Sequence, residues 1–359
     1  MKISALVSSP LFMGNHYVNS GTRTSFSLNS AYVNNTSGFG VGVRYHAKTT
    51  DTLDEFYVML DANTGTLGNI TMQCIINNEN GATRAGSTTR ATSTATAMPN
   101  AVDKWIKFTF GTPYTPAIGE ILWFIAYNTS AAPTTDYPQI LTVTTAQYNN
   151  IISAYGVTNA YSTTNGFSAG GSAISETPFV IKQGSMYVGN PFTAYQATTT
   201  GSNTLERGIQ ITLTSPVTIS GVMIYAGASN INELKIYDST TAPGGTTIAT
   251  IDLDSTANMT TGDTSGGFSF SPITLPAGTY NIVLSISANS TLPASGVIED
   301  YSSYSTMFDS MRAQDTLHNP IGVVDDGAGG WTLLKDLCPG ILLYIDDFPY
   351  ARYPAAFFA

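Results

Sequence analysis

"FMGNHY", Phe12–Tyr17, and "YVGNPF", Tyr187–Phe192, decide how the rest of the chain is read. Each places an aromatic and an apolar residue before Gly-Asn and another aromatic residue two positions after it. The second stretch lies near the middle of 359 residues, so the chain reads as starting again. Further matches follow in the same order. Gly42-Val43 corresponds to Gly221-Val222, and Phe56 with Val58 to Leu234 with Ile236. Phe108-Thr109-Phe110, Pro116-Ala117 and Gly119 correspond to Phe268-Ser269-Phe270 and Pro276-Ala277-Gly278. Asn165-Gly166, Gly170-Gly171 and Pro178 correspond to Asp326-Gly327, Gly329-Gly330 and Pro339. One such match carries little weight; an ordered series predicts an internal duplication.

The unit itself reads as strands. Val222–Tyr225, Leu234–Tyr237 and Phe268–Phe270 are short apolar or alternating runs, and Thr241–Gly245 is a turn. Thr247–Leu253 alternates again. Leu275–Gly278 forms a corner, Thr279–Ile286 leaves it as a strand, and Ile341–Tyr344 closes the unit as Phe179–Ile181 closes the first. Asp326-Gly327 and Asn165-Gly166 have the chemistry of two-residue type I′ hairpin turns. Helical periodicity is confined to Tyr148–Tyr155 and Tyr304–Arg312, each enough for a turn or two. Strands at short intervals with turn signals between them predict an all-β chain: two tandem antiparallel β-sandwiches, jelly-roll-like. The expected boundaries are an N-terminal arm over 1–9, sandwiches over 10–185 and 186–347, and an aromatic tail over 348–359.

Composition narrows the function. Charged residues make up 11% of the chain, and 14 Lys plus Arg stand against 24 Asp plus Glu. A nucleic-acid partner needs basic side chains to displace counterions along the phosphates, and no stretch clusters them. No apolar run approaches the roughly 18 residues of a membrane-spanning helix. The opening Met1–Val7 is shorter in its apolar part than the roughly 7–15 residues of a secretory signal. An extracellular type of composition without a signal is expected of a virion protein made in the host cytoplasm.

Candidate chemistry is sparse. His16, His46 and His318 follow no pattern shared between the halves. Cys74 alternates with Met72 and Ile76 as a core residue does, and Cys338 lies in the other half. Neither has the paired spacing of a zinc site, and no metal or other cofactor is expected. The acidic neighbours Asp54-Glu55, Glu299-Asp300, Asp325-Asp326 and Asp346-Asp347 are adjacent, so on a strand they point to opposite faces and not at one bond. Asp325 and Asp326, with nearby carbonyls, have the ligand type calcium takes, while a hairpin turn alone also explains them. Trp105 and Trp331 are candidates for stacking on sugar rings; Trp123, in Ile121–Ile125, reads as core. Four large rings in the last ten residues, Tyr350, Tyr353, Phe357 and Phe358, read as an assembly element, since such apolar surface needs a cover.

Leu275-Pro276-Ala277-Gly278-Thr279-Tyr280-Asn281-Ile282, with Ser220–Asp238, resembles the corner and opening strands of carbohydrate-binding-module-like β-sandwiches. Tandem units of this kind occur in structural proteins of tailed bacteriophages. The resemblance implies a non-enzymatic virion component, in capsid decoration, tail or fibre, with other virion proteins and further copies of itself as partners. A glycan-binding lectin or receptor-binding module is the alternative, with host-surface glycans as partners, and a glycan-degrading enzyme is the third reading. The first half departs from the pattern at Thr115–Glu120, where Ile118 is inserted and Thr-Tyr is missing.

Overall fold

The computed structural model describes residues 12–14, 23–32, 39–47, 49–79, 85–143, 157–164, 177–191, 195–196, 205–225, 231–253, 265–286, 295–314 and 320–345. The expectations for the N-terminal arm, Tyr148–Tyr155, Asn165-Gly166 and the tail residues Tyr350, Tyr353, Phe357 and Phe358 lie outside them. Among the described residues the chain is all-β apart from one α-helix and short 3-10 turns. It divides into two units. The first comprises Gly21–Ala194 with Glu299–Ser310; the second comprises Met1–Ser20, Tyr195–Ile298 and Met311–Ala359.

The strands, in chain order, are β1 (Phe12–Gly14), β2 (Arg23–Ser27), β3 (Phe39–His46), β4 (Leu53–Thr64), β5 (Thr71–Glu79), β6 (Ala85–Thr92), β7 (Thr96–Ala97) and β8 (Lys104–Tyr114). Next come β9 (Ile121–Asn128), β10 (Tyr137–Val143), β11 (Val157–Thr164), β12 (Phe179–Gln183), β13 (Met186–Asn190), β14 (Tyr195–Gln196), β15 (Arg207–Leu213), β16 (Val217–Tyr225) and β17 (Ile231–Asp238). The last are β18 (Ala249–Asp252), β19 (Ser265–Leu275), β20 (Gly278–Ile286), β21 (Ser295–Val297), the helix α1 (Ser305–Gln314), β22 (Ile321–Asp325), β23 (Trp331–Leu334), β24 (Leu337–Pro339) and β25 (Ile341–Ile345).

In the first unit one sheet runs β13-β12-β4-β10-β2, with β8 on the other side of β4, and the second runs β11-β3-β9-β5-β6, with β7 beside β5. Alternate residues of both sheets enter one core. Val41, Val43 and Tyr45 meet Phe56, Val58 and Leu60, with Phe108, Phe110, Phe124 and Ile181 between them. β-branched and aromatic residues suit this half-buried pleated surface. Cys74 is wholly buried among them, as its alternation with Met72 and Ile76 predicts. Burial pushes its thiol well up, which leaves it unreactive.

In the second unit the sheets are β1-β25-β16-β19 and β18-β17-β20-β15-β22-β23, with a smaller β14-β21-β24. Leu234 faces Leu284 and Ile236 faces Ile282 on neighbouring strands, all buried.

The two units share one pairing scheme. β4 lies between β8 and β12 as β16 lies between β19 and β25. β5 lies between β6 and β9 as β17 lies between β18 and β20. β3 joins β9 to β11 as β15 joins β20 to β22. Register agrees as well. Phe56 faces Phe108 on one side and Ile181 on the other; Val222 faces Phe268 and Leu343. Both central strands carry a register shift at the same place, Leu53/Glu55 and Ile219/Gly221. The Phe108–Phe110 and Phe268–Phe270 strands therefore occupy equivalent positions. The expected partners of the opening strands are displaced by one strand: by pairing, Phe56 corresponds to Val222, not to Leu234, and Gly42-Val43 lies on the counterpart of β15. Period-2 alternation is the same in every half-buried strand, so it does not say which strand is which.

The corner recurs with different fastening. Tyr280 Oη donates to Pro276 O at 2.8 Å. In the first unit Gly119 takes a positive φ of 81° and Glu120 closes the longer corner, accepting from Tyr114 Oη at 2.9 Å and Ala117 N at 3.0 Å. The inserted Ile118 is left exposed. The late hairpin differs from expectation. Asp325 pairs with Trp331, so five residues, not two, form the connection, with positive φ at Gly327 and Gly329.

Candidate functional site

Two strands close the units in the same way. β13 follows β12 through the two-residue turn Gly184-Ser185 and pairs Gly189 with Val180 and Val188 with Ile181. β1 pairs Gly14 with Leu342 and Met13 with Leu343. Both glycines have positive φ, 113° at Gly14 and 151° at Gly189. A Cβ on Gly14 would stand 2.2 Å from Ile341 O, and one on Gly189 2.3 Å from Phe179 O. Only glycine permits this approach of backbone to backbone. Phe12–Gly14, expected within a first sandwich over 10–185, pairs in the second unit, far in sequence from its partner strand. A strand's partner is set by ladder and packing, and sequence order does not reveal it.

The outer face of β4 and β8 is the other place where distant segments meet. Trp105 points there, as its alternation with Lys107 predicts. It is covered, however, and 2% exposed. Its indole Nε1 donates to Glu299 O at 2.8 Å, Phe308 packs edge-on against its ring, and Tyr304 Oη donates to its carbonyl at 2.9 Å. Lys104 Nζ holds Asp300 Oδ1 at 2.7 Å, with Asp300 in the left-handed region at φ 55°. The expectation of Trp105 as a sugar-stacking ring is corrected: Glu299–Ser310 occupies that face. This segment left only one signal in the sequence, the helical periodicity of Tyr304–Arg312.

The carboxylates of the units are held internally. Glu55 accepts from Tyr57 Oη and pairs with Lys107 Nζ at 2.5 Å. Burial pushes the Glu55 carboxyl up, but the hydrogen bonds from Lys107 and Tyr57 and the charge of Lys107 outweigh it and hold it below its ordinary value. Its neighbour Asp54 instead accepts from Thr52 Oγ1 at 2.9 Å. Glu79 is bound by Arg44 through Nε and Nη2, the latter at 2.7 Å, and by Trp123 Nε1 at 3.3 Å. Burial raises its pKa, yet Arg44 more than compensates and the net shift is downward. His46 Nε2 lies 3.0 Å from Arg44 Nη1. In the second unit Glu206 Oε1 accepts from Lys235 Nζ at 2.9 Å and Tyr237 Oη at 3.0 Å. Burial, then Glu206, pushes the Tyr237 phenol up to about 12.

Asp325 Oδ1 accepts from Gly327 N at 2.8 Å, and Asp326 Oδ1 from Ala328 N at 2.7 Å and Gly330 N at 2.9 Å. The backbone donors of Gly330 and Ala328 keep the Asp326 carboxyl below its ordinary value. These carboxylates fasten their own loop, and among the described residues no three His, Cys, Asp or Glu side chains converge as metal ligands. Trp331 is half-buried, tilted against Tyr237 at 5.6 Å, with Nε1 donating to Thr241 O at 2.7 Å. Trp123 is core-like, 2% exposed beside Ile75 and Ile125.

No family model, curated protein or solved structure matches this chain.

Proposed function

We propose that the chain is a non-enzymatic structural protein of a phage virion, built from two copies of one β-sandwich unit and working through protein–protein assembly. The observation that carries this is the equivalent closure of the two units by β13 and β1, in one case by a strand from the far end of the sequence. Adding a strand to a sheet edge is a way of joining modules, in which backbone hydrogen bonds supply the binding and side-chain fit supplies the choice of partner. The use of Glu55, Glu79 and Glu206 as internal ion-pair partners is what a scaffold does with its acids. Low charge overall and a β-rich chain agree with a component of a large assembly. Mass spectrometry of purified particles tests the reading: the protein is expected in a fixed copy number, and its absence from particles would refute it.

One observation favours a glycan-binding role beside this. Trp331 is half-buried next to the exposed turn Asp326–Ala328, with Tyr237 behind it. Binding to host-surface glycans that disappears in Trp331→Ala, with the melting curve kept, would support that role.

A further inference from the structure

We propose that β1 is an exchangeable strand: in the assembled protein the β25 edge is filled by Phe12–Gly14 of a second copy of this chain. The proposal deepens the assembly reading above and rests on it.

At β12 the closing strand is supplied locally, by the residues that follow Gly184-Ser185. At β25 the same place, in the same register, is taken by residues from the opposite end of the sequence. The strand heading the second repeat thus pairs with the last strand of the unit before it. The strand heading the first repeat pairs with a second-half unit, which in a series of copies is the unit before it in the neighbouring molecule. Every contact needed is already specified. Gly14 fits against Ile341 O where no other residue fits, Met13 is wholly buried opposite Leu343, and the backbone ladder completes the edge. An identical strand from another copy makes identical contacts, so exchange requires no new interface chemistry.

Such a contact is head-to-tail. It closes into a ring or continues as a filament according to the rotation between copies. The strand is only three residues long, so a single exchange binds weakly and gains strength where several act together.

The test uses full-length protein on a Cys338→Ser background. An isotope-labelled Met13→Cys chain and an unlabelled Leu343→Cys chain are mixed under refolding conditions and oxidised. Directly opposed Cβ atoms on neighbouring strands lie about 4.5–5.5 Å apart, near enough for a disulfide to form with slight adjustment. The expected result is a covalent dimer whose linking peptide joins labelled residue 13 to unlabelled residue 343. If mixing gives no such dimer while the Met13→Cys/Leu343→Cys double variant closes only on itself at monomer mass, the strand stays in its own chain and the proposal is overturned.

Gly14→Ala is the second arm. It is expected to weaken association in sedimentation at least tenfold while far-UV circular dichroism is kept, and unchanged association would equally overturn exchange. The two readings fail separately. Protein present in particles without the mixed linkage sinks exchange alone; the linkage without incorporation into particles sinks the virion reading.

Discussion

Gly14 and Gly189 do the same work at two sheet edges: each lies with positive φ against the carbonyl of the strand beside it, Ile341 and Phe179 respectively. Each also faces a buried aliphatic residue of that strand, Leu342 and Val180. What differs is where the strand comes from.

Replacing Gly189 by alanine is expected to destabilise the first unit. Its Cβ would meet Phe179 O at 2.3 Å and the Val180 Cα at 2.9 Å. The backbone conformation alone costs about 1–3 kcal/mol for a residue with a side chain. At about 2–4 °C per kcal/mol for a unit of this size, thermal melting should show a drop of several degrees. An unchanged melting temperature would mean that β13 does not close the sheet in solution.

Trp105→Ala should release Glu299–Ser310 from the outer face of β4 and β8. Truncating a buried aromatic residue costs about 3–5 kcal/mol. Trp105→Phe keeps an aromatic ring for Phe308 to pack against but leaves Glu299 O without its donor, for about 1 kcal/mol. Limited proteolysis should cut within 299–310 in the alanine variant and spare the phenylalanine one. Equal cleavage of both would show that the segment is not anchored by this ring.

Glu55 makes the stability of the first unit depend on pH. Its folded-state pKa lies below the unfolded value, so its contribution is complete above the ordinary glutamate range near 4.3–4.5. That contribution is lost as pH falls through the lower folded value. Glu55→Gln removes charged hydrogen bonds from Tyr57 and Lys107, each typically about 1.5–3 kcal/mol. Solvent reaches Lys107 and reduces its share. The variant should melt earlier at pH 7, and the gap to the native protein should close below pH ~4. A gap independent of pH would mean that the carboxyl is not ionised in the fold.

Deleting residues 350–359 removes Tyr350, Tyr353, Phe357 and Phe358. Burial of four rings is worth on the order of 6–12 kcal/mol before the ordering of the chain is subtracted. The truncated protein should melt like the full chain but associate more weakly in sedimentation. A much earlier melt would assign the rings to the protein's own core, and unchanged association would remove them from assembly.

The residues by themselves determined the class of fold and much of its punctuation. Alternation in Leu234–Tyr237 and Phe108–Phe110, the Pro-Ala-Gly corner and the Gly-Asn pair are local signals, and local signals survive in a sequence because backbone and side-chain sterics act within a few residues. The Phe-x-Phe pattern of the Phe108–Phe110 and Phe268–Phe270 strands is legible for the same reason. Which strand lies beside which was not. Alternation is shared by all half-buried strands and so does not distinguish the opening strands from their neighbours, and Asp326-Gly327 has the chemistry of a two-residue turn where five residues form the connection. Trp105 shows the limit at a candidate site. Its direction followed from period 2, but its cover came from residues nearly two hundred positions later. Only the tertiary structure decided that the face was occupied, and that Phe12–Gly14 pairs with Ile341–Ile345, because both outcomes depend on packing between residues far apart in the chain.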